Sequence, residues 1–237
     1  MGVITATDEN VWQAGQVDVF HDLSPALLDE IKGLSQTLEV PRGEIVFSPE
    51  DEAESIYLIR EGKIKLSKVA DDGKEITLAV LQEGDLFGEV SAFDSGIHGH
   101  FAEALEDATL AAISRPDFAN LVRRNPEFAL IVIHALADRT RRAELQIEDL
   151  VFRSVPARVA SVLVRLAQEH GRVGPRGVTI DLRLTHQEIA NMVGATRETV
   201  TNVLNDLRAE GMIEVEHKRV RILDQEALAE AAQLGRT

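Results

Sequence analysis

The residues best suited to chemistry lie in one stretch, Arg183 to Gly211. Thr196, Arg197, Glu198, Thr201, Asn202 and Asn205 recur at helical spacing, opposite Val200, Val203, Leu204 and Leu207. These are base-reading types. A guanidinium pairs bidentately with guanine O6 and N7, a carboxylate accepts from cytosine N4, and a carboxamide pairs with adenine. Farther on, Lys218, Arg219 and Arg221 supply cations for phosphate, a contact that positions a reader without specifying sequence. This is hydrogen bonding and charge neutralisation, not bond breaking. The sequence holds no Walker loop, serine nucleophile elbow or HExxH, and it has no cysteine. An enzyme is not expected, and no catalytic residue is assigned.

Two helices and a hairpin must hold these groups. Thr185 with Glu188 forms a capping box that opens the first helix, and Ile189, Ala190 and Val193 face inward. Gly194 tolerates the positive φ of a sharp turn, and Thr196 with Thr199 starts the second helix. Two short helices joined this way make a helix-turn-helix. After Gly211, Met212–Glu216 and Arg219–Leu223 flank His217-Lys218, which reads as a wing with a basic tip. The expected DNA contacts are Thr185, His186, Thr196, Arg197, Glu198, Thr201, Asn202, Lys218 and Arg219. A helical hairpin used for protein contacts is the other reading of the isolated pattern.

Upstream, Leu23–Leu34 reads as a helix capped by Ser24, with Pro25 at its first position. Short strand-like segments follow at Glu44–Phe47, Ser55–Arg60, Lys63–Val69 and Glu75–Leu81, then near Phe101–Leu105 and Thr109–Ser114. Turn signals separate them, which implies a small antiparallel barrel or jelly roll. Helical character returns at Pro116, and one long pattern runs from Pro126 to about Phe152. There Ile133, Thr140 and Ile147 recur at seven, as do Leu136, Ala143 and Leu150. This stripe is either a dimer seam or the face of a helix packed on its own barrel, with Asp138, Arg139, Arg141, Arg142 and Glu144 solvated beside it. Ser154-Val155-Pro156 reads as a hinge, Val155–His170 as an amphipathic helix, Val178–Leu182 as a strand, and the segment from Ala227 as a short helix fading into a tail.

Charge follows the same division. Residues 1–150 hold 13 Lys+Arg and 29 Asp+Glu, net −16, whereas 151–237 hold 12 and 11, net +1. Any DNA contact therefore rests on a local arrangement of cations. No apolar run is long enough to span a membrane, and Met1–Asn10 has no basic or apolar leader pattern, so a cytoplasmic protein is expected.

From about Asp18 to Leu223 the chain resembles the cAMP receptor protein/FNR family of bacterial regulators. The most specific pieces are Gly84-Asp85-Leu86-Phe87-Gly88-Glu89 and the run from Thr185 to Val200. The resemblance implies an α+β chain: a cyclic-nucleotide-binding-type β jelly roll (1–125), a long dimerisation helix (126–153) and a winged helix-turn-helix (154–237). It implies a homodimer on a palindromic, TGTGA-like promoter site, and contact with RNA polymerase. In cAMP-responsive members a Gly-Glu pair contacts the ribose and an Arg-Ser pair holds the cyclic phosphate. Gly88 and Glu89, followed by Val90, match the first; Gly99 and His100 stand at the second. A Thr-Ser pair that contacts adenine is Ala143 and Glu144 here. The arginine is missing, and a buried phosphate without a cation is unfavourable. No cofactor is expected, and DNA binding without cAMP is the expectation; activation by cAMP or another small effector in the roll is the alternative, and Gly88-Glu89 reads first as a structural turn. His98 and His100 fall short of the three or four ligands of a metal site, so no metal is expected. The family's third base reader, an arginine, is Asn202.

Overall fold

The computed structural model describes residues 23–93 and 96–233. The start of the resemblance near Asp18 and the tail after residue 233 lie outside the described residues. The chain divides into two compact units that meet at Gln146/Ile147.

The first unit opens with α1 (Pro25–Leu34), where Ser24 Oγ accepts from Leu27 N and Leu27 and Ile31 are buried. Then come β1 (Ser35–Val40), β2 (Ile45–Phe47), β3 (Ser55–Glu61), β4 (Lys63–Val69), β5 (Glu75–Gln82), β6 (Leu86–Phe87), α2 (Glu89–Phe93), β7 (Phe101–Ala104) and β8 (Ala108–Ser114). They form two antiparallel four-stranded sheets, β1-β8-β3-β6 and β2-β7-β4-β5. Residues of both sheets share one core, including Val40, Ile59 and Leu110 from the first and Phe47, Ile64, Leu66 and Leu81 from the second. This is the expected jelly roll. Against the other face of the first sheet pack α1, α3 (Arg115–Arg124) and the start of α4 (Pro126–Phe152), through Leu27, Phe118, Phe128, Ile131 and Val132.

One strand departs from its sequence pattern. Apolar and polar residues alternate at the start of β4, yet Lys65 and Ser67 are buried as Ile64 and Leu66 are. The register between β4 and β5 shifts at Leu66/Ser67, and Lys65 Nζ lies 2.8 Å from both Glu75 and Glu103. Burial works against the ammonium, but hydrogen bonds to Glu103 and Glu75 outweigh it and hold its pKa above the ordinary lysine value.

The second unit comprises the end of α4, α5 (Val155–His170), β9 (Gly171–Gly174), β10 (Gly177–Ile180), α6 (His186–Val193), α7 (Arg197–Ala209), β11 (Ile213–Glu216), β12 (Arg219–Ile222) and α8 (Gln225–Gln233). Its sheet runs β11-β12-β10-β9, all antiparallel. Strand β9 had no sequence signal, since glycines stand at both its ends. Val159, Leu163 and Leu166 of α5 are buried, as are Ile189, Val193, Val200, Leu204 and Leu207 of the two shorter helices. Among the described residues no helix is long and apolar enough to cross a membrane.

Candidate nucleic-acid interface and sensor site

Local chemistry builds the reading head. Thr185 Oγ1 accepts from Glu188 N (3.2 Å) while the Glu188 carboxylate accepts from Thr185 N (2.5 Å), the complete capping box. Gly194 ends α6 in the left-handed region (φ 61°, ψ 44°) and donates to Ala190 O. A Cβ there would sit 3.0 Å from Leu150 Cδ2, so both conformation and space ask for glycine. Thr196 caps α7 by accepting from Thr199 N. The two threonines are thus engaged as caps, and the exposed face of α7 presents Arg197, Glu198, Asn202 and Asn205. Among the described residues no side chain pairs with Arg197 or Glu198. Thr201 Oγ1 lies 2.8 Å from both Arg197 O and His186 Nδ1, a contact that ties the start of α6 to the reading face.

The wing joins the same edge. Leu184 N, one residue before the α6 cap, donates to Lys218 O at 2.8 Å. Glu216 pairs with Arg219 in the β11–β12 ladder, which leaves a two-residue loop. Both loop residues, His217 (φ 50°) and Lys218 (φ 65°), are left-handed, the geometry of a type I′ turn usually made by Asn-Gly. Lys218 stands exposed at the tip. Arg219 is less free than expected, since its Nη2 lies 3.2 Å from Asp181 Oδ1. Arg221 turns back to Glu214 (2.5 Å) and Thr179 (3.2 Å) and does not project from the edge. Hydrogen bonds thus tie the wing to the start of α6 and the start of α6 to α7, and among the described residues Arg197, Glu198, Asn202 and Lys218 are exposed without a side-chain partner.

The roll holds a second constellation. Gly88 has φ 85°, and a Cβ there would approach Ser55 O to 3.2 Å, so this turn requires glycine whatever else it does. It delivers Glu89 fully buried at the start of α2. Arg139 of α4, expected in solvent, reaches in instead: Nη1 donates to Glu89 Oε1 (2.5 Å) and Nη2 to Leu86 O (2.6 Å). Glu89 Oε2 is buried without a hydrogen-bond partner among the described residues. Burial pushes the Glu89 carboxyl above the usual carboxylate range, against the pull of Arg139. His100 Nε2 is also buried and unpartnered. Burial first, then His98, Arg139 and Lys68, lower the His100 pKa to about 4, so its imidazole is neutral at pH 7. His98 stacks on Phe47 (centroids 3.6 Å, 5° between planes) with Ser91 Oγ at 3.3 Å, a core histidine. Glu89 and His100 therefore gather around Arg139, while Val90, Gly99, Ala143 and Glu144 face solvent. Sequence reasoning missed Arg139; its one signal was that it falls off both heptad rows. Among the described residues no group of three or more His, Asp or Glu is placed to hold a metal.

The heptad stripe divides between its two readings. Leu136 is half-buried against the roll's core, and Leu150 is half-buried beside Gly194. Ile133, Thr140, Ala143 and Ile147 are exposed, and so are Leu130 and Val151. The exposed row is Leu130, Ile133, Ala137, Thr140, Glu144, Ile147 and Val151, spaced alternately by three and four. The row through Leu136 and Leu150 serves the protein's own packing instead.

Comparison with known proteins agrees with this geometry over most of the chain. Residues 37–125 match the family model described as a cyclic nucleotide-binding domain, and 157–231 that described as a Crp-like helix-turn-helix domain. The CRP-like cAMP-activated global transcriptional regulator of Mycobacterium tuberculosis is 34% identical over 226 residues, covering 95% of this chain and all of that one. The global nitrogen regulator of Synechococcus elongatus is 37% identical over 198 residues, 82% of this chain and 89% of its own. Among solved structures, the c-di-GMP responsive global regulator CLP of Xanthomonas campestris superposes with a TM-score of 0.76 at 25% identity, covering 84% of this chain and 99% of that one. These relatives are regulators, not enzymes.

Proposed function

Because the chain belongs to the cAMP receptor protein/FNR family of transcription regulators, we propose that it acts as a homodimer on a two-fold-symmetric, TGTGA-like operator and that it does so without cAMP. The observation that carries the DNA half is the exposed, uncommitted Arg197–Glu198–Asn202 face of α7, set beside Lys218. Arg197 and Glu198 read the guanine and cytosine positions of the half-site, and Asn202 shifts the third position toward adenine. The exposed heptad row from Leu130 to Val151 supports the dimer, since that much apolar surface along one helix calls for a partner. RNA polymerase is the expected protein partner at the promoter.

The effector half rests on charge. A cyclic phosphate beside Gly99 and His100 would meet a neutral imidazole, and Arg139 already holds Glu89. One relative is named for cAMP and one structural neighbour for c-di-GMP, so the fold by itself names no effector. The unpartnered Glu89 Oε2 and His100 Nε2 favour a second reading, another small effector that brings hydrogen-bond donors into the roll. Selection of genomic fragments by the purified protein, with and without cAMP, tests the whole. The same palindromic site should emerge in both arms. Micromolar cAMP binding by calorimetry, with a matching rise in DNA affinity, would overturn the cAMP-independent reading.

A further inference from the structure

A DNA-binding unit with a net charge near zero must ration its cations, and the structure shows how. Two carboxylates hold four arginines of the small sheet. Asp181 accepts from Arg172 (2.6 Å) and lies 3.2 Å from Arg219. Glu214 holds Arg221 (2.5 Å), with Arg176 at 4.0 Å. The Glu214 pair lines a cleft of about 300 Å³ with Thr179, Glu216, His217 and Arg219, and Arg221 is only 23% exposed. The Asp181 pair differs. Its arginines are 81% and 47% exposed. Arg219 follows Lys218, whose carbonyl is bonded to Leu184 N beside the α6 cap. Asp181 itself is anchored by its own N–H, which donates to His170 O at 2.7 Å. A fixed carboxylate therefore stands behind an exposed guanidinium on the edge assigned above to DNA.

We propose that Asp181 is an internal counter-anion that limits the protein's grip on DNA phosphate, cancelling one of the two charges that Arg172 and Arg219 bring to the wing edge. The inference rests on the DNA-binding reading. Phosphate neutralisation supplies the sequence-independent part of affinity, and each phosphate neutralised steepens the fall of log K with log salt by about 0.9. Two guanidiniums sharing one carboxylate present one net charge in place of two, so together they contribute less to that slope than two free arginines would. Removing the carboxylate charge restores the second cation beside Lys218, and the wing gains a phosphate contact without any change in the base readers.

The test is Asp181→Asn in the full chain, with DNA binding followed by fluorescence anisotropy across a salt series. The probes are the selected operator and a scrambled duplex of equal length. Both affinities should rise about fivefold to tenfold, and both slopes should steepen by about 0.9. Glu230→Gln, an exposed acid on α8, makes the same charge change and should shift affinity less than twofold. In an Arg172→Ala/Arg219→Ala background, which removes both arginines that Asp181 holds, the gain from Asp181→Asn should vanish, which keeps the test clear of any stability change in the single variant. A weaker, flatter response would mean that Asp181 presents Arg219 to phosphate instead of restraining it, and the inference would be wrong. An unchanged slope with intact wild-type binding sinks this inference alone. Absence of DNA binding by the wild type sinks the parent reading and this inference with it.

Discussion

Arginine–carboxylate pairs occur in both units, and they do different things. In the roll, Glu89 is fully buried and Arg139 is one-quarter exposed, joined at 2.5 Å. In the winged unit, Asp181 is about one-fifth exposed and its partner Arg219 about one-half, at 3.2 Å. The Coulomb attraction is similar in kind, but the surroundings decide what it accomplishes. A buried carboxylate left without its cation has no water to turn to, so the roll's pair is an obligation of the fold. A pair half in water contributes little to stability. What it controls is how much positive charge another molecule meets. Burial thus separates charge on which the fold of the roll depends from charge held near the surface of the winged unit.

Arg139→Ala probes this difference most strongly. Leaving Glu89 buried without a partner should destabilise the protein by about 3–5 kcal/mol, reduced toward the lower figure as the carboxyl takes up a proton. Asp181→Asn, changed in the same way at the surface, should stay within roughly 0.5 kcal/mol. Denaturant unfolding of the two variants side by side measures both. Equal effects would erase the distinction between the units.

The second probe is pH. His100 titrates near 4 in the folded protein against an ordinary 6.5. Between those values the unfolded chain binds a proton that the folded chain does not, so stability rises with pH. The contribution is complete above pH 6.5 and is lost as pH falls through 4. His100→Gln should remove that part of the acid sensitivity. A variant whose denaturation midpoint follows wild type from pH 7 to pH 4 would show that His100 is not desolvated.

The reading head was legible in the sequence because its signals are local. The capping box needs only Thr185 and Glu188, three apart. The turn needs only Gly194, and the inward row of α7 follows from spacing. The jelly roll was legible as a class, because turn residues separate its strands. The side-chain partners within the roll were not, because they depend on tertiary register. Arg139 meets Glu89 across 50 residues, and Lys65 finds Glu75 and Glu103 only after a register shift in β4. The seam failed in part for a similar reason. Periodicity offers two rows on α4 and cannot say which one covers the roll, so Leu136 and Leu150 were read with the exposed set. In the wing, Arg219 and Arg221 were recognised as cations, but the carboxylates that restrain them lie on other strands and loops.

At the DNA face the effects grow smaller and are read in binding. Arg197→Ala should cost about 1–3 kcal/mol on the operator and relax preference at one position of each half-site. Fragment selection with the variant checks this. Site preference identical to wild type would remove Arg197 from the readers and leave affinity to phosphate contacts alone.

Lys218→Gly draws the finest line between fold and binding. Lys218 sits at φ 65°, a left-handed backbone that disfavours a side chain. Relief of that strain, offset by the greater freedom of glycine in the unfolded chain, should stabilise the wing by about 0.5–1 kcal/mol. The same change removes an exposed cation at the tip. DNA affinity should fall for all sequences alike, and the salt slope should flatten by about 0.9. The two readouts move in opposite directions, which no general loss of structure can produce. Greater instability would show that the tip is unstrained, and a change in site preference would show that Lys218 reads more than phosphate. If both hold, the wing keeps a strained lysine for binding at the expense of its own hairpin.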